Sequence, residues 1–243
     1  MLRYFIPAVF FAAVRVASAQ QTIQLFQEDF NAGNNTFTLN SGGPAAGFGS
    51  NAWIVNSEYN GNGVYPNTTP QTSTSSGTIA GAPNSPYLHV HDNATATATN
   101  CNYDNNTASD NFATMTGGFC TVGLTDIKFT FFYLAEGNAA DYGRVYYSID
   151  GGGTWIQCGL PQYNNTTLWT YQVITDPAFE NQPDIRFGFR WTNSSGAAQA
   201  MSFGVDDIIA VGTYDDNNPV ELTITDVQPN PVCEGGYLTI SYN

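Results

Sequence analysis

Apolar and polar residues alternate with a period of two along much of this chain, which predicts strands rather than helices. Residues 127–134 carry apolar side chains on both faces, as is typical of a strand in the centre of a sheet. In residues 184–192 the alternation directs Ile185, Phe187 and Phe189 to one face. No stretch has a sustained helical period, so the pattern predicts an all-β fold, an antiparallel two-sheet sandwich.

The clearest local pattern covers residues 141–158. Residues 144–149 alternate as in a half-buried strand, and a β-type run resumes at residues 154–156. Between them lies Asp150-Gly151-Gly152-Gly153, where the glycines can take the positive φ values of a tight turn and the carboxylate can accept hydrogen bonds from turn amides. The pattern therefore predicts a β-hairpin.

The first 19 residues have the pattern of a secretory signal peptide. Arg3 precedes an apolar run over residues 4–14, and Ala17-Ser18-Ala19 gives a small-residue cleavage site. The apolar run is too short to span a bilayer. We expect residues 1–19 to be removed, leaving a mature chain that begins at Gln20 or Gln21 and is secreted or displayed at the cell surface.

Charge narrows the possible partners of the mature chain. Without Arg3 and Arg15, four basic residues face 20 acidic ones, a net charge of −16. Such a surface repels phosphate backbones and anionic lipid, so binding to nucleic acid or to a membrane surface is disfavoured. The mature chain is not expected to insert into a membrane, because no second apolar stretch follows residues 1–19. Charged residues make up only 11% of the chain, against about 25% in an average protein, which fits an exported β-protein.

Two polar stretches leave alternatives open. Residues 58–85 are turn-formers throughout, and a segment of this length is either a binding loop or a tolerated insertion, with insertion the favoured interpretation. His89 and His91 share one side of a predicted strand, where they could hold a transition metal. Because the chain has only two histidines and the sequence places no third ligand, a solvated strand face is the favoured interpretation.

Four cysteines allow three pairings. Cys101 and Cys120 flank a short polar stretch and are predicted to close a disulfide in an oxidising compartment. The pairing of Cys158 and Cys233 stays open.

Residues 148–155, Ser-Ile-Asp-Gly-Gly-Gly-Thr-Trp, fit the pattern S-x-D-x-G-x-T-W and resemble the Asp-box of sialidases and reelin-type repeats. In those families the box is a folding element in which the Asp closes the turn and the Trp packs beneath it. The resemblance therefore implies a structural rather than a catalytic role for the five fixed positions, Ser148, Asp150, Gly152, Thr154 and Trp155.

Two further motifs extend the resemblance. Residues 26–30, Phe-Gln-Glu-Asp-Phe, and residues 204–209, Gly-Val-Asp-Asp-Ile-Ile, together with the Asp-box, resemble jelly-roll domains of the MAM and reelin-repeat type. Such domains stand at the front of large surface proteins exported by bacterial type IX secretion systems. The resemblance implies one jelly-roll β-sandwich over residues 20–213.

In such jelly rolls the first and last strands run side by side, and their carboxylates commonly gather at a cation. The resemblance thus implies a structural calcium site with candidate ligands Glu28, Asp29, Asp206 and Asp207, completed by loop carbonyls and water. The alternative is that these acids cap turns or pair with arginines.

A change of composition follows the predicted sandwich. Residues 214–219 form a polar linker, and residues 220–243 resemble the opening strands of an Ig-like repeat. Because two strands are marginal alone, we expect residues 220–243 to be an incomplete Ig-like domain and further domains of the same polypeptide to follow Asn243.

The favoured function is a non-catalytic adhesion or recognition module with a glycan or a surface protein as ligand. Aromatic rings stack on sugars, and Tyr59, Tyr65 and Tyr163 are candidate exposed aromatic residues in loops. No catalytic residues are assigned, and the protease motifs HExxH and G-x-S-x-G do not occur.

Two alternatives stay open. A sialidase-like glycoside hydrolase could use Arg144, Arg186 and Arg190 to hold a sugar carboxylate, although a pair of catalytic carboxylates cannot be identified. The sandwich could also be a structural spacer for the domains expected after it.

Overall fold

The structure is a computed structural model of the 243-residue chain, and it describes residues 20–34, 36–60, 68–93, 101–196 and 201–214. The predicted signal peptide, the predicted linker beyond Tyr214 and the predicted Ig-like strands lie outside the described residues. Within the described ranges, no helix has the length and apolar character that crossing a membrane requires.

Two antiparallel sheets confirm the predicted sandwich. The six-stranded sheet has the order β3-β4-β11-β6-β9, and β1 also pairs with β11; its strands are β1 (Gln21–Glu28), β3 (Asn51–Asn56), β4 (Tyr87–Asp92), β6 (Thr125–Ala135), β9 (Thr166–Ile174) and β11 (Phe203–Tyr214). The five-stranded sheet has the order β2-β5-β10-β7-β8, with β2 (Phe37–Leu39), β5 (Ser109–Met115), β7 (Tyr142–Ser148), β8 (Ile156–Tyr163) and β10 (Arg186–Asn193). A short 3-10 helix, Pro177–Phe179, precedes β10.

The main core fills the space between the sheets with aromatic rings. Phe129 of β6 stacks on Phe187 of β10 with ring centroids 3.8 Å apart, and Phe131 meets Phe189 edge-on at 5.4 Å. All four rings are fully buried. The inward direction predicted for the alternating residues of β10 is therefore confirmed, and these contacts hold the two layers together.

A second apolar cluster lies on the outer side of the six-stranded sheet. We call it the outer cluster; its members are Tyr59, Ile79, Tyr87, Cys101, Phe132, Leu134, Trp169 and Met201. Residues 68–86, here called the cover segment, close over it, and the Trp169 Nε1 group donates to the carbonyl of Thr69 at 2.9 Å. Most of the polar stretch that the sequence analysis interpreted as a tolerated insertion therefore covers one face of the sheet.

The β7–β8 hairpin turns at residues 149–155. Ser148 Oγ donates to Asp150 Oδ1 at 2.7 Å and accepts from the Gly152 amide at 2.9 Å, while the Thr154 amide donates to Asp150 Oδ1 at 2.8 Å. These hydrogen bonds lower the pKa of Asp150 to about 2, and the bond from the Thr154 amide has the largest effect. Trp155 donates from Nε1 to the Gly152 carbonyl at 3.0 Å. All five Asp-box positions thus belong to the turn, and Gly152 takes a φ of 97° that other residues rarely adopt.

The structure corrects the predicted disulfide between Cys101 and Cys120. Cys101 is a free, buried thiol in the outer cluster, and burial raises its pKa to about 11. Cys120 instead follows Phe119, which packs in the main core, and it takes part in a disulfide with another partner. Proximity along the sequence was misleading, because Cys101 lies in the outer cluster, whereas Cys120 is only partly buried and follows a residue of the main core. Cys158 is also a free, buried thiol.

Candidate functional site

The outward side of the five-stranded sheet carries polar side chains together with Phe112 of β5, which lies opposite Arg190 and is buried against Tyr146 and Trp155. Along β7, Val145 and Tyr147 point into the main core, so Tyr142, Arg144 and Tyr146 point outward. The neighbouring strands β10 and β5 extend this surface, which we call the open face; its further members are Asp110, Thr114, Arg186, Arg190 and Thr192. The three arginines of the predicted carboxylate site therefore share one side of the sheet.

Arg190 is held in a bidentate ion pair. Its Nε and Nη2 groups donate to Asp110 Oδ1 and Oδ2, each at 2.7 Å, and its Nη1 group donates to the Tyr146 hydroxyl at 3.3 Å. Burial tends to raise the pKa of Asp110, but hydrogen bonds from Arg190 and from the Ala46 amide outweigh it and hold the pKa below its usual range. Both groups are ionised at neutral pH, and the pair fastens β10 to β5.

Arg186 is paired in the same way with an acid of the preceding turn. Its Nη2 group lies 2.9 Å from Asp184 Oδ2, and its Nη1 group donates to the carbonyl of Thr116 at 3.3 Å. Arg186 therefore neutralises its neighbour and joins β10 to the end of β5.

Arg144 differs from the other two arginines. Its Nε group donates to the carbonyl of Pro161 at 3.3 Å, and its guanidinium carbon lies 4.6 Å from the centre of the Tyr142 ring. Within the described ranges, the remaining lysine and arginines are ion-paired, whereas Arg144 has no carboxylate partner. In the same ranges, its two terminal nitrogens find no hydrogen-bond acceptor.

Polar groups surround this arginine. Thr192 pairs with Tyr142 across β10, and Gln157 pairs with Tyr146 across β8. Gln157 also donates from Nε2 to the Pro161 carbonyl at 3.0 Å, so this carbonyl accepts hydrogen bonds from both Arg144 and Gln157. We call the group of Tyr142, Arg144, Tyr146, Gln157 and Thr192 the Tyr142–Arg144 patch. It combines a half-buried aromatic ring, a planar cation, an amide and a threonine hydroxyl on a fixed sheet, whereas the Tyr146 ring is only 6% exposed.

The four acids predicted to bind calcium are divided by the structure. Strands β1 and β11 do run side by side, with Glu28 opposite Ile208. Glu28, however, is satisfied locally, since its carboxylate accepts from the Phe30 amide at 2.8 Å and from Thr36 Oγ1 at 2.5 Å. Asp29 also caps its own turn by accepting from the Asn31 amide at 3.0 Å.

Asp206 and Asp207 instead fasten the cover segment. Asp206 Oδ2 accepts from Gln71 Nε2 and from Ser85 Oγ, and Asp207 Oδ2 accepts from the Ala80 amide at 2.6 Å. The orientation of the Gln71 amide is fixed, because its Oε1 must face the Ser85 backbone amide at 2.9 Å. The Gln71 NH₂ group therefore donates to Asp206.

Burial raises the pKa of Asp206 to about 8, and the charges of Asp207 and Asp29 add to the effect. The pKa of Asp207 is raised by burial and by Asp29. In the part of the chain that the structure describes, no group of three or more His, Cys, Asp and Glu side chains is placed to hold a metal ion. Calcium therefore stays a prediction, and the carboxylate of Glu28 accepts hydrogen bonds from the Phe30 amide and Thr36 Oγ1.

Several candidate residues lie elsewhere than predicted. Tyr59 and Tyr163 are buried, and Tyr65 lies outside the described residues. The most exposed aromatic residue of the described ranges is Phe48, at 50%, which the sequence did not single out. His89 and His91 are also buried, so the prediction that they lie on a solvated strand face is wrong. His89 stacks on Tyr87, and burial lowers its pKa to about 3.

The Tyr142–Arg144 patch was only partly visible in the sequence. Alternation along β7 places Tyr142, Arg144 and Tyr146 on one side, and this signal was available. The register between strands decides which of their neighbours are Gln157 and Thr192, and no local pattern encodes that register.

No family model matches the chain, and no curated protein matches it. One similar solved structure comes from work on the promiscuous specificity of carbohydrate-binding modules of the β-sandwich superfamily. It is 13% identical in sequence with a TM-score of 0.39, and the match covers 75% of this chain and 60% of that one. Another is a carbohydrate-binding module studied for specific mannan recognition: 10% identity, TM-score 0.38, covering 79% of this chain and 98% of that one. Both likenesses are shallow, and the function proposed below rests on this chain's own surface.

Proposed function

We propose that this β-sandwich is an exported, non-catalytic recognition module that binds carbohydrate on the open face of its five-stranded sheet. The observation that carries the proposal is the Tyr142–Arg144 patch. Sugar rings bind where a flat aromatic or guanidinium surface adjoins a few fixed hydrogen-bonding groups. Export is supported by the pattern of residues 1–19.

The position of the patch supports binding rather than a purely structural role. Salt bridges engage Arg186 and Arg190, but the terminal nitrogens of Arg144 and the amide of Gln157 lie on the surface. Strands rather than loops carry these groups. A ligand therefore meets a surface whose geometry is already set, which lowers the entropy lost on binding.

The sialidase-like alternative is less well supported by the same face. Glycoside hydrolysis needs two carboxyl groups placed on either side of the scissile bond. Two carboxylates of this face, Asp110 and Asp184, are each bound to an arginine, Arg190 or Arg186, and a third, Asp150, is bonded within its own turn. Those two arginines are in turn engaged in pairs that join neighbouring elements, which leaves Arg144 as the one available for a ligand.

A glycan array probed with the intact exported chain tests the proposal. We expect binding to a defined set of glycans, and a loss of about tenfold or more in affinity for Tyr142→Ala. Leu168→Ala is the matched control because Leu168 is 66% exposed on the other sheet, and its affinity should equal that of the wild type. The proposal fails if no glycan binds, or if Tyr142→Ala binds as tightly as the wild type. Turnover of a chromogenic glycoside would overturn the non-catalytic role.

A further inference from the structure

We infer that the Tyr142–Arg144 patch selects sugars that carry a carboxylate, with Arg144 forming the charge-assisted contact to that group. This inference rests on the proposed function, because it names the class of carbohydrate that the same face would take.

The first support is the distribution of positive charge. The chain has a net charge of −14 and only six basic residues, so a cationic surface is unusual on it. Three arginines of the described ranges nevertheless lie on the outward side of two adjacent strands. Lys128, on the other sheet, is exposed and lies 3.4 Å from Asp126. Three of the four lysine and arginine residues in the described ranges thus lie on the side that carries the patch.

The second support is that the cation of Arg144 is not compensated. Arg144 lies directly opposite Arg190 in the β7–β10 register, and like charges in this position destabilise a sheet. Asp110 compensates Arg190 through both of its oxygens. No acid does the same for Arg144 in the described ranges. A carboxylate supplied by a ligand would remove the repulsion and make the contact that the protein leaves unmade.

The third support is that Arg144 is already positioned. The Tyr142 ring lies against the guanidinium at 4.6 Å, and the Pro161 carbonyl accepts from Nε at 3.3 Å. A guanidinium fixed by its Nε and by one face presents its terminal nitrogens as a planar fork, which matches a planar carboxylate in two parallel hydrogen bonds. Because little side-chain entropy is left to lose, the contact gains more affinity than a free surface arginine would.

The fourth support concerns specificity within the patch. Gln157 and Thr192 are neutral groups on either side of Arg144, suited to the hydroxyls of a sugar rather than to further charge. A polyphosphate or nucleic-acid chain would extend beyond this small cationic spot onto a strongly acidic surface and be repelled. One carboxylate per sugar unit therefore fits the patch better than dense negative charge.

The test uses matched acidic and neutral ligands. Polygalacturonate is compared with the same polymer after full methyl esterification, and a sialylated oligosaccharide is compared with its neutral parent, each by isothermal titration with the intact exported chain. We expect at least one pair to show about tenfold tighter binding of the carboxylated member, and this preference should shrink at high salt. Sulfated polysaccharide is a further arm, and equal or tighter binding of it would overturn selection by a carboxylate.

Three variants assign the preference to Arg144. Arg144→Gln should abolish it, Arg144→Lys should keep only part of it because an ammonium lacks the planar fork, and the control Lys128→Gln should leave it unchanged. Melting temperatures near that of the wild type show that each variant is folded. The inference is overturned if no carboxylated member is preferred, or if the preference survives in Arg144→Gln. If neutral glycans bind and their binding requires Tyr142, the proposed function is supported although the inference about carboxylates fails. If no glycan binds, the proposed function and the inference both fail.

Discussion

The two outer faces of the sandwich are built on the same strand alternation but are covered to different extents. On the six-stranded sheet the outward residues include Phe132, Leu134 and Trp169, and the cover segment buries them. On the five-stranded sheet the outward residue Phe112 is also buried, whereas Arg144 is only half-buried. The five-stranded sheet therefore keeps part of its outward side at the surface.

This comparison predicts that truncation on the covered face costs stability. Trp169 is 3% exposed, meets the Tyr87 ring edge-on at 5.6 Å and bonds the cover segment at Thr69. Trp169→Ala should lower the free energy of unfolding by about 3–5 kcal/mol, measured by urea denaturation, because it leaves a large cavity. Its neighbour Leu168 is 66% exposed, so Leu168→Ala should change stability by less than about 0.5 kcal/mol. Equal costs for the two variants would show that the face is not a core.

The second prediction concerns pH and the anchor of the cover segment. The pKa of Asp206 is about 8 in the folded protein and about 3.9 in an unfolded chain. At a pH between these two values, the Asp206 carboxyl therefore carries a proton in the folded state and has lost it in the unfolded state. This contribution to stability is complete below about pH 4 and is lost as the pH rises towards 8, at up to about 1.4 kcal/mol per pH unit.

Asp206→Asn cannot ionise, so its free energy of unfolding should depend less on pH over this window. Urea denaturation in EDTA between pH 5 and pH 8.5 measures the difference from the wild type. Asp126→Asn is the control, since that carboxylate is exposed beside Lys128. Parallel pH curves for Asp206→Asn and the wild type would contradict the prediction.

The third prediction tests calcium at the same edge of the covered face. Asp29, Asp206 and Asp207 interact through their charges, and no lysine or arginine pairs with them in the described ranges. If calcium binds there with a dissociation constant of about 10⁻⁴ to 10⁻³ M, 5 mM calcium should stabilise the fold by about 1–2 kcal/mol. Thermal unfolding with calcium, with magnesium and with EDTA measures this. An unchanged melting temperature would remove calcium from the description.

The smallest predicted effect on stability is on the open face. Tyr142→Ala removes a half-buried ring and its contact with Arg144, which should cost no more than about 1 kcal/mol of unfolding free energy. The same variant should lose glycan binding. Urea denaturation beside titration with the glycan found on the array would separate the two effects. A large loss of stability would mean that Tyr142 belongs to the structure rather than to a binding surface.

The sandwich could be predicted because its signals are local. Alternation around Phe187 and Phe189 and the turn at Asp150 depend on residues that are neighbours in sequence. The cover could not be predicted in the same way, because Tyr59, Ile79 and Trp169 come together only after the chain folds. One signal was present: a strand with apolar residues on both sides needs two apolar partners, and β6 has that pattern.

For the candidate site too, features that depend on local sequence could be predicted, whereas features that depend on strand register could not. The sequence placed Arg186 and Arg190 on one strand face, and the structure agrees. It could not show that, among the described arginines, only Arg144 lacks an acid, because Asp110 and Asp184 reach their arginines through strand register and turn geometry. Nor could it show that Glu28, predicted to lie beside Asp206, accepts hydrogen bonds from residues close to it in sequence. Neighbouring acids can satisfy themselves within one turn, as Glu28 does with Thr36.

Pro161 also protects the sheet that carries the patch. It lies in β8, the last strand of the five-stranded sheet, and a proline has no backbone N–H to offer an incoming strand. An exposed strand edge is otherwise a template for aggregation. The residue whose carbonyl accepts hydrogen bonds from Arg144 and Gln157 thus also leaves a gap in the row of backbone donors along this edge strand.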